Sequence, residues 1–361
     1  MNATEISLAA ARRLRNGRLP HIPPPAAPVS SPTRLVLEAP PESRPEAVLT
    51  DTGRGANWRI ALQEDNQDAG IWTAELLLPR EPTVVTYYFE LADGQHIRER
   101  RQVEGTNVPI YGVWEEKDFR IAVYSLQSTS PEWARGGVTY QIFPDRFARG
   151  NPQPQPVDSV VYGRRSRNLS WHEKPELPPQ GRDFYGGTIR GITENLDYLA
   201  DLGVSHLYLT PIFTSPTNHR YDVLDYFQID PRLGDERDLR ALVEAATARN
   251  IRVMLDGVFN HCSRDNPFFK AAQGDRCSPY YRWFAFDDWP DGYTGWAGVA
   301  DMPQFVECPE VEEFFFGPDG VARHWLRAGI AGWRLDVVPW KSDEFWRRLR
   351  AAVDRERDDV Y

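Results

Sequence analysis

The chain has 361 residues, a formal net charge of −10 and a mean hydropathy of −0.54, which predict a soluble protein of two or three domains. The negative charge argues against a nucleic-acid-binding protein, which would present a basic face, and no segment is long and apolar enough for a membrane span or a signal peptide. The three cysteines, Cys262, Cys277 and Cys308, form no CxxC pair, so neither a disulfide scaffold nor a zinc site is indicated and a reduced, cytoplasmic setting is expected.

The first segment, residues 1–32, contains the run PHIPPPAAPVSSP, which cannot sustain a helix or a sheet and predicts a disordered, proline-rich tail. Residues 33–125 change to short runs of β-branched and aromatic residues separated by turn residues, for example EAVLTD and IWTAELLL. Five or more such runs at this spacing predict an antiparallel β-sandwich. Trp72, Tyr87 and Tyr88 are expected in its core or at an interface, with a carbohydrate platform as the alternative.

Residues 126–361 alternate between apolar strands and amphipathic helices. The predicted strands are GVTYQIF, VSHLYLTPIF, IRVMLDGVF and IAGWRLDVV, and a helix is predicted after each of them. Such alternation is typical of parallel βα units, whose strands are apolar on both faces. Four units with long loops after the strands, including a loop over residues 260–308, predict about half of an eight-fold (β/α)8 TIM barrel. A doubly wound sheet is disfavoured because no glycine-rich dinucleotide turn follows a strand.

Polar and charged residues gather after these strands. In βα barrels the chemistry lies at the carboxyl ends of the strands, and buried carboxylates and imidazoles are costly unless they have partners. Recurrence after three consecutive strands therefore indicates a functional site, although any one of these residues alone would fit an ordinary turn or loop. The candidates are His219 and Tyr221 after the second strand, Asp256, Asn260 and His261 after the third, and Arg334 and Asp336 at the end of the fourth.

Six ordered motifs carry a resemblance to a known family: GVTYQIFPDRF, DFYGG…GI, LDYLADLGVSHLYLTPIF, NHRYD, LDGVFNH and GWRLDVV. In order and spacing they resemble the α-amylase family of retaining glycoside hydrolases, and most closely its subgroup of cyclomaltodextrinases, neopullulanases, maltogenic amylases and maltodextrin glucosidases. The resemblance covers residues 33–361 and implies a catalytic TIM barrel preceded by a carbohydrate-binding-like sandwich. It also implies an enzyme that cleaves α-glucosidic bonds of maltodextrins, cyclodextrins or pullulan.

The same resemblance implies a role for each candidate. Asp336 is the expected nucleophile, which forms a glycosyl-enzyme intermediate, and Arg334 is expected to keep Asp336 ionised by lowering its pKa. The other candidates are expected to bind the sugar or support the arginine: Tyr221 by stacking on the sugar at the cleavage point, His261 by hydrogen-bonding one of its hydroxyls, His219 by lining the same pocket, and Asp256 by bracing Arg334.

The sequence departs from the family pattern at the glutamate that serves as general acid/base. The family carries a general acid/base glutamate at the end of a fifth strand, whereas the last glutamates here, Glu344 and Glu356, belong to the fourth helix. The 361-residue chain is therefore expected to be the N-terminal part of a longer enzyme and nearly inactive alone, since proton donation is worth ~10²–10⁴-fold. Its fourth strand is expected to lack a neighbour.

Two smaller departures from the family pattern concern the segment after Asp336 and a calcium site. The segment VVPWK follows Asp336 where many relatives carry a polar or acidic residue, so Trp340 is expected to reshape the leaving-group side. The segment FARGNPQPQP lacks the acidic residues that hold calcium in some relatives, and Thr188 stands where they often have aspartate. No metal or other cofactor is therefore expected.

Three functions stay open on the sequence alone. The first is a hydrolase, the second a transglycosylase that excludes water after the covalent step, and the third a non-catalytic carbohydrate- or partner-binding protein on a decayed barrel. The expected partners are an α-glucan oligosaccharide and, as the resemblance implies, a second copy of the chain bound through the N-terminal domain. Neither nucleic acid nor a membrane is expected.

Overall fold

The structure is a computed structural model that describes residues 21, 23–24, 26–102, 114–125, 130–152 and 154–361. The chain divides between Thr129 and Ser130 into two units. No helix in the described residues is long and apolar enough to cross a membrane.

The first unit consists mainly of antiparallel strands. In chain order they are β1 (Ala27–Pro28), β2 (Pro32–Glu38), β3 (Glu46–Asp51), β4 (Ala56–Ala61), β5 (Gln63–Glu64), β6 (Ile71–Leu77), β7 (Thr83–Glu90), β8 (His96–Ile97), β9 (Glu99–Gln102), β10 (Trp114–Lys117) and β11 (Phe119–Tyr124). One sheet has the order β2-β6-β5, a second has the order β1-β11-β7-β3-β4 with β8 beside β7, and β9 pairs with β10.

The two larger sheets share one hydrophobic core. Alternate residues are buried along β2, β3 and β7, the two-residue period of a strand that covers a core with one face. Leu37 and Trp72 enter this core from the first sheet, and Tyr87 and Phe119 enter it from the second. Tyr88 lies on the opposite face of β7 and is half-buried, with its ring centroid 4.3 Å from the Arg98 guanidinium carbon.

Part of the expected tail belongs to this unit. Strand β1 pairs with β11, and His21 is 1% exposed, with Nε2 2.6 Å from the Tyr87 hydroxyl and Nδ1 2.6 Å from the Val36 carbonyl oxygen. The prediction of a disordered tail over residues 1–32 is therefore wrong for the described residues from 21 onward, and residues 1–20 lie outside the described part. The proline-based argument failed because proline is tolerated in edge strands and anchored extended segments.

The second unit is built on a parallel sheet of four strands in sequence order, β12 (Thr139–Ile142), β17 (His206–Leu209), β20 (Arg252–Gly257) and β23 (Gly332–Leu335). Helices connect these strands and follow the last one: α1 (Ile189–Glu194), α2 (Leu196–Asp201), α3 (Glu236–Thr247), α4 (Pro267–Gly274), α5 (Pro309–Phe316), α6 (Val321–Arg327) and α7 (Asp343–Glu356). Short strand pairs lie in the loops: β13 (Val160–Val161) with β14 (Arg164–Arg165), β15 (Arg167–Asn168) with β16 (Asp183–Phe184), β18 (Phe213–Thr214) with β19 (Asp225–Ile229), and β21 (Phe286–Asp288) with β22 (Gly292–Tyr293).

Local sequence explains where these elements begin. Asp235 forms a reciprocal capping box with Asp238 at the start of α3, and the Ser342 hydroxyl accepts the Phe345 N–H at the start of α7. Strand β20 is buried along nearly its whole length, as expected for a parallel strand covered on both faces. The direction and order of the four strands match the predicted βα units.

The stretch predicted as a long loop over residues 260–308 has more structure than expected. It contains α4 and the pair β21–β22, and its aromatic residues, among them Phe269, Trp283 and Phe305, join the main core. This aromatic packing was not visible in the sequence, because it follows neither the helical nor the strand period.

The outer edge of β23 also differs from the expectation that the fourth strand lacks a neighbour. The Tyr361 N–H donates to the Ala331 carbonyl at 3.1 Å, and the Trp333 N–H donates to the Tyr361 carbonyl at 2.9 Å. The Val360 side chain is fully buried. The backbone near Tyr361 therefore satisfies part of the edge of β23.

Candidate active site

The register of the sheet brings residues from neighbouring strands to one place. Asp256 at the end of β20 lies directly opposite Arg334 on β23, and Tyr208 on β17 lies opposite Met254, two residues before Asp256. Side chains two residues apart on a strand point to the same face. Tyr208, Asp256 and Arg334 therefore share one face at the carboxyl end of the sheet.

A single guanidinium nitrogen joins the two carboxylates at this end. Arg334 Nη1 donates to Asp256 Oδ1 and Oδ2 at 3.0 and 3.1 Å, and to Asp336 Oδ1 at 2.8 Å. The Asp256 side chain is fully buried and that of Asp336 is 11% exposed, whereas that of Arg334 is 41% exposed. The predicted charge pair is thus buried on its carboxylate side and open to solvent on its guanidinium side.

Burial controls the protonation of both carboxylates. Loss of solvent raises the pKa of Asp336 above its usual value, and Arg334 opposes this rise without cancelling it. The pKa of Asp256 is raised to about 6 for the same reason, against the effects of hydrogen bonds from Tyr208 and Arg334. Arg334 therefore lowers the pKa of Asp336, as predicted, but the burial of Asp336, which the sequence could not show, outweighs that effect.

Two tyrosines complete the surroundings of Asp256. Tyr221 donates its hydroxyl to Asp256 Oδ2 at 3.0 Å, and the Tyr208 hydroxyl also donates to Oδ2. Sequence reasoning missed Tyr208. A tyrosine inside an apolar strand could have indicated it, because its buried hydroxyl needs a polar partner. Asp256 therefore supports Arg334, as expected. It also holds the hydroxyl of Tyr221, which with His219 forms the rim of the site in the loop after β17.

His261 lies next to this cluster and is 1% exposed. Burial, with the nearby charges of Lys341 and His219, lowers its pKa to about 4, so the imidazole is neutral near pH 7. Its Nε2 is a buried atom without a hydrogen-bond partner in the described part of the chain. Its ring stacks on Trp296 with centroids 5.4 Å apart, a partner that the sequence reasoning missed. An unpaired buried nitrogen of this kind can hydrogen-bond a ligand hydroxyl.

His219 and Tyr221 lie side by side in the loop after β17. The Tyr221 N–H donates to His219 Nδ1 at 3.2 Å, and the two ring centroids are 6.0 Å apart. Burial lowers the pKa of His219, which the Asp222 carboxylate opposes. Because Nδ1 accepts a hydrogen bond, the neutral His219 carries its proton on Nε2.

The segment after Asp336 turns sharply. Val337 adopts a positive φ of 46°, the Trp346 indole donates to the Val338 carbonyl at 2.9 Å, and the Lys341 ammonium donates to the Phe305 carbonyl. Trp340 lies in this turn and is 48% exposed. The turn thus leaves an aromatic face open to solvent four residues after Asp336.

The two last glutamates have other partners. Glu356 accepts hydrogen bonds from Arg323 at 2.8 Å and from Arg327 at 2.8 and 3.0 Å, and these arginines lower its pKa to about 2. Glu344 pairs with Arg348 at 3.1 Å on α7 and is 57% exposed. Both glutamates are thus engaged by arginines of α6 and α7.

Thr188, which stands where relatives often carry a calcium-binding aspartate, caps a helix here. Its hydroxyl accepts the N–H of Gly191 at 3.0 Å and that of Gly150 at 3.1 Å. The described residues contain no group of three or more His, Cys, Asp or Glu side chains placed to hold a metal ion.

Comparison with known proteins gives a consistent result. The model of the alpha-amylase catalytic domain matches residues 141–347. An intracellular maltogenic amylase of Bacillus subtilis is 41% identical over 239 residues, 64% of this chain and 38% of that protein. Neopullulanase 2 of Thermoactinomyces vulgaris is 41% identical over 241 residues, 64% of this chain and 39% of that protein. The solved type III pullulan hydrolase of Thermococcus kodakarensis is 31% identical with a TM-score of 0.61, over 93% of this chain and 59% of that one.

These matches cover the sequence motifs from which the site residues were predicted. The matched segment contains all the candidate site residues between His219 and Asp336, and the relatives carry names of the subgroup that the motifs resemble. The chain spans about two fifths of the length of the curated relatives that are 41% identical to it.

Proposed function

Since this chain belongs to the alpha-amylase family, we propose that the protein is a retaining glycoside hydrolase that cleaves α-glucosidic bonds and uses Asp336 as its nucleophile. The observation that carries the proposal is the placement of Asp336. Its carboxylate lies nearly buried at the end of β23, with one oxygen bound by Arg334 at 2.8 Å. The same guanidinium is anchored to Asp256, so the nucleophile is held in one orientation while its second oxygen stays available.

The chemistry follows from these groups. A carboxylate oxygen of Asp336 attacks the anomeric carbon, the bond to the leaving oxygen breaks, and that oxygen takes a proton from a general acid. Water then cleaves the glycosyl ester and restores the carboxylate. The raised pKa of Asp336 makes its carboxylate a stronger nucleophile once ionised, and the Arg334 charge favours that ionised form.

The remaining candidates contribute to sugar binding in this proposal. Tyr221 offers an aromatic face whose hydroxyl is fixed by Asp256, and a sugar ring stacks on such a face. The neutral His261 offers its unpaired Nε2 to a hydroxyl of the same sugar, and His219 lines the pocket beside Tyr221.

The substrate proposed is a maltodextrin, cyclodextrin or pullulan chain. Support comes from relatives whose names describe a maltogenic amylase, a cyclomaltodextrinase and a neopullulanase. The architecture proposed is the first half of a TIM barrel, residues 126–361, preceded by a sandwich, residues 33–125. A type III pullulan hydrolase that resembles this chain over 93% of its length supports that arrangement.

Three further properties belong to the proposal. A covalent mechanism on carboxylates needs no metal or organic cofactor, so none is proposed. A cytoplasmic location is proposed because Cys262, Cys277 and Cys308 are unpaired thiols and a close relative is named intracellular. A homodimer through the N-terminal unit is proposed on the subgroup resemblance alone.

Labelling with 5-fluoro-α-glucosyl fluoride tests the nucleophile. Fluoride leaves without a proton, so the covalent step needs no general acid, and the ring fluorine slows hydrolysis of the ester. Intact-mass spectrometry of the purified chain is expected to show one added fluoroglucosyl group, located on Asp336 by peptide mapping, with no addition to Asp336→Asn. The surface variant Asp354→Asn is the matched control and is expected to be labelled normally. Equal labelling of Asp336→Asn and the control would refute the proposal.

A further inference from the structure

Asp222 is one of the buried carboxylates outside the Asp256–Arg334–Asp336 cluster. Asp222, the residue after Tyr221, is fully buried. Its Oδ1 accepts hydrogen bonds from Ser215 at 2.7 Å and from Thr217, and its Oδ2 accepts one from Tyr162. Within the described part of the chain its ion-pair contact is His219, whose Nδ1 is 3.7 Å from Oδ1. Hydroxyl groups therefore supply most of the compensation that a buried charge requires.

Tyr162 reaches Asp222 from a different loop. It lies in the turn between β13 and β14 with a positive φ of 46°, a conformation that is uncommon for a bulky residue and persists only where contacts enforce it. Its hydroxyl is also 3.5 Å from Ser263 Oγ, and the guanidinium carbon of Arg264 is 4.9 Å from its ring centroid. One side chain thus connects the loops that follow β12, β17 and β20.

We propose that Tyr162 is a positioning residue for the sugar-binding rim, which it holds in place through its hydrogen bond to Asp222. Asp222 directly follows Tyr221, whose hydroxyl is bound to Asp256 and whose N–H is bound to His219. A displacement of Asp222 therefore moves both residues that line the rim in this loop. The inference rests on the proposed function only in naming an α-glucan as the ligand of the rim.

The contact between Asp222 and His219 means that a change at Asp222 alters the pKa of His219, which can be measured. Asp222 is the group that favours protonation of His219, whereas burial, Arg220 and Arg146 oppose it. The charge of His219 in turn lowers the pKa of His261. The Tyr162 hydroxyl is the hydrogen-bond donor to Asp222 Oδ2 in the described residues. Without that donor the Asp222 charge acts more strongly on His219, so the pKa of His219 rises.

The experiment compares four forms of the full chain: wild type, Tyr162→Phe, Ser215→Ala and Tyr293→Phe. The control Tyr293→Phe also removes a tyrosine hydroxyl, one that donates to the Ala300 carbonyl at 2.8 Å. The His219 pKa is followed by NMR of histidine-labelled protein, and maltotriose binding by calorimetry. Tyr162→Phe is expected to raise the His219 pKa by roughly 0.5–1 unit and to weaken maltotriose binding by roughly tenfold. Ser215→Ala is expected to shift the pKa in the same direction, and the control to change neither.

The outcomes separate this proposal from the function on which it rests. If Tyr162→Phe matches the control in both measurements, the positioning role is refuted. If wild type does not bind maltotriose but Tyr162→Phe shifts the His219 pKa, the positioning role is supported and the proposed function is contradicted. If Tyr162→Phe does not fold, Ser215→Ala decides, because it removes a donor from the same carboxylate at the opposite oxygen, and an unchanged His219 pKa there refutes the role.

Discussion

Asp256 and Arg334 lie directly opposite each other on adjacent parallel strands, and Arg334 Nη1 is within 3.1 Å of both oxygens of Asp256. The same nitrogen reaches Asp336 at 2.8 Å. One partly exposed guanidinium therefore offsets two buried carboxylates, and the pKa of each stays above its usual value. Removing this guanidinium is expected to raise the pKa of Asp336, the proposed nucleophile, still further.

The first prediction concerns the variant Arg334→Met, which keeps an unbranched side chain, although a shorter one, and removes the charge. Since Arg334 lowers the pKa of Asp336, its loss is expected to raise that pKa further. In the proposed mechanism, labelling by 5-fluoro-α-glucosyl fluoride requires ionised Asp336. The acid limb of the pH dependence of labelling is therefore expected to move to higher pH. Arg240→Met is the control, because Arg240 pairs with Glu236 on the exposed face of α3. An acid limb at the same pH in Arg334→Met and the control would contradict the electrostatic role.

The second prediction separates the covalent step from proton donation. Glu344 is paired with Arg348, and Glu356 is bound by Arg323 and Arg327. If neither glutamate acts as the general acid in the proposed mechanism, the protein is expected to release fluoride from α-maltosyl fluoride, and to cleave maltotetraose at least ~10²-fold more slowly than an enzyme with its acid in place. A fluoride electrode and chromatography of the sugars measure the two rates. Rapid maltotetraose cleavage by this chain would show that another of its residues acts as the acid.

The third prediction concerns His261→Phe, which keeps a ring against Trp296 and removes Nε2. If Nε2 binds a sugar hydroxyl, the dissociation constant for maltotriose is expected to rise by roughly tenfold at pH 7, the worth of one hydrogen bond. Calorimetry measures this constant, and His172→Phe, a change at an exposed loop histidine, is the control. Because the pKa of His261 is about 4, binding by wild type is not expected to show titration of His261 between pH 5.5 and 7.5.

The sequence predicted the order of the elements well because their signals are local. The strand EAVLTD has its predicted bounds, and a helix follows each of the four predicted strands. No apolar repeat marks the start of α1 at Ile189, because its first turn is defined by the Thr188 cap. The order and composition of the strands thus sufficed for the four βα units.

The contacts of the site depend on register and depth, which a single sequence does not contain. Arg334 and Asp336 could be paired from their spacing, but the Tyr208–Asp256 contact needs the register of β17 against β20. Trp296 contacts His261 because isolated β-bridges fold its loop onto the end of β20. These bridges pair Gly295 with Pro303 and His261 with Gln304. The net pKa direction of Asp336 depends on its burial. Each of these follows from long-range packing.

The fourth prediction concerns His21, which anchors the segment before β1 in the core of the first unit. Its Nδ1–H donates to the Val36 carbonyl and its Nε2 accepts the Tyr87 hydroxyl, an arrangement that requires neutral imidazole. Burial lowers its pKa from 6.5 to about 4. The unfolded chain therefore binds more protons than the folded one between these values, so the stabilising contribution is complete above pH 6.5 and is lost as the pH falls towards 4. The expected loss is about 3 kcal/mol.

The measurement compares the urea unfolding free energy of wild type and His21→Gln between pH 7.5 and pH 4. Glutamine keeps a donor and an acceptor but does not titrate, so the variant is expected to be less stable at pH 7 and to show a weaker pH dependence below 6.5. Subtracting the two curves removes the contribution of His261, which titrates in the same window in both proteins. If the unfolding free energies of wild type and variant change in parallel with pH, His21 is protonated at no cost in the folded state. That result would contradict a buried, neutral His21.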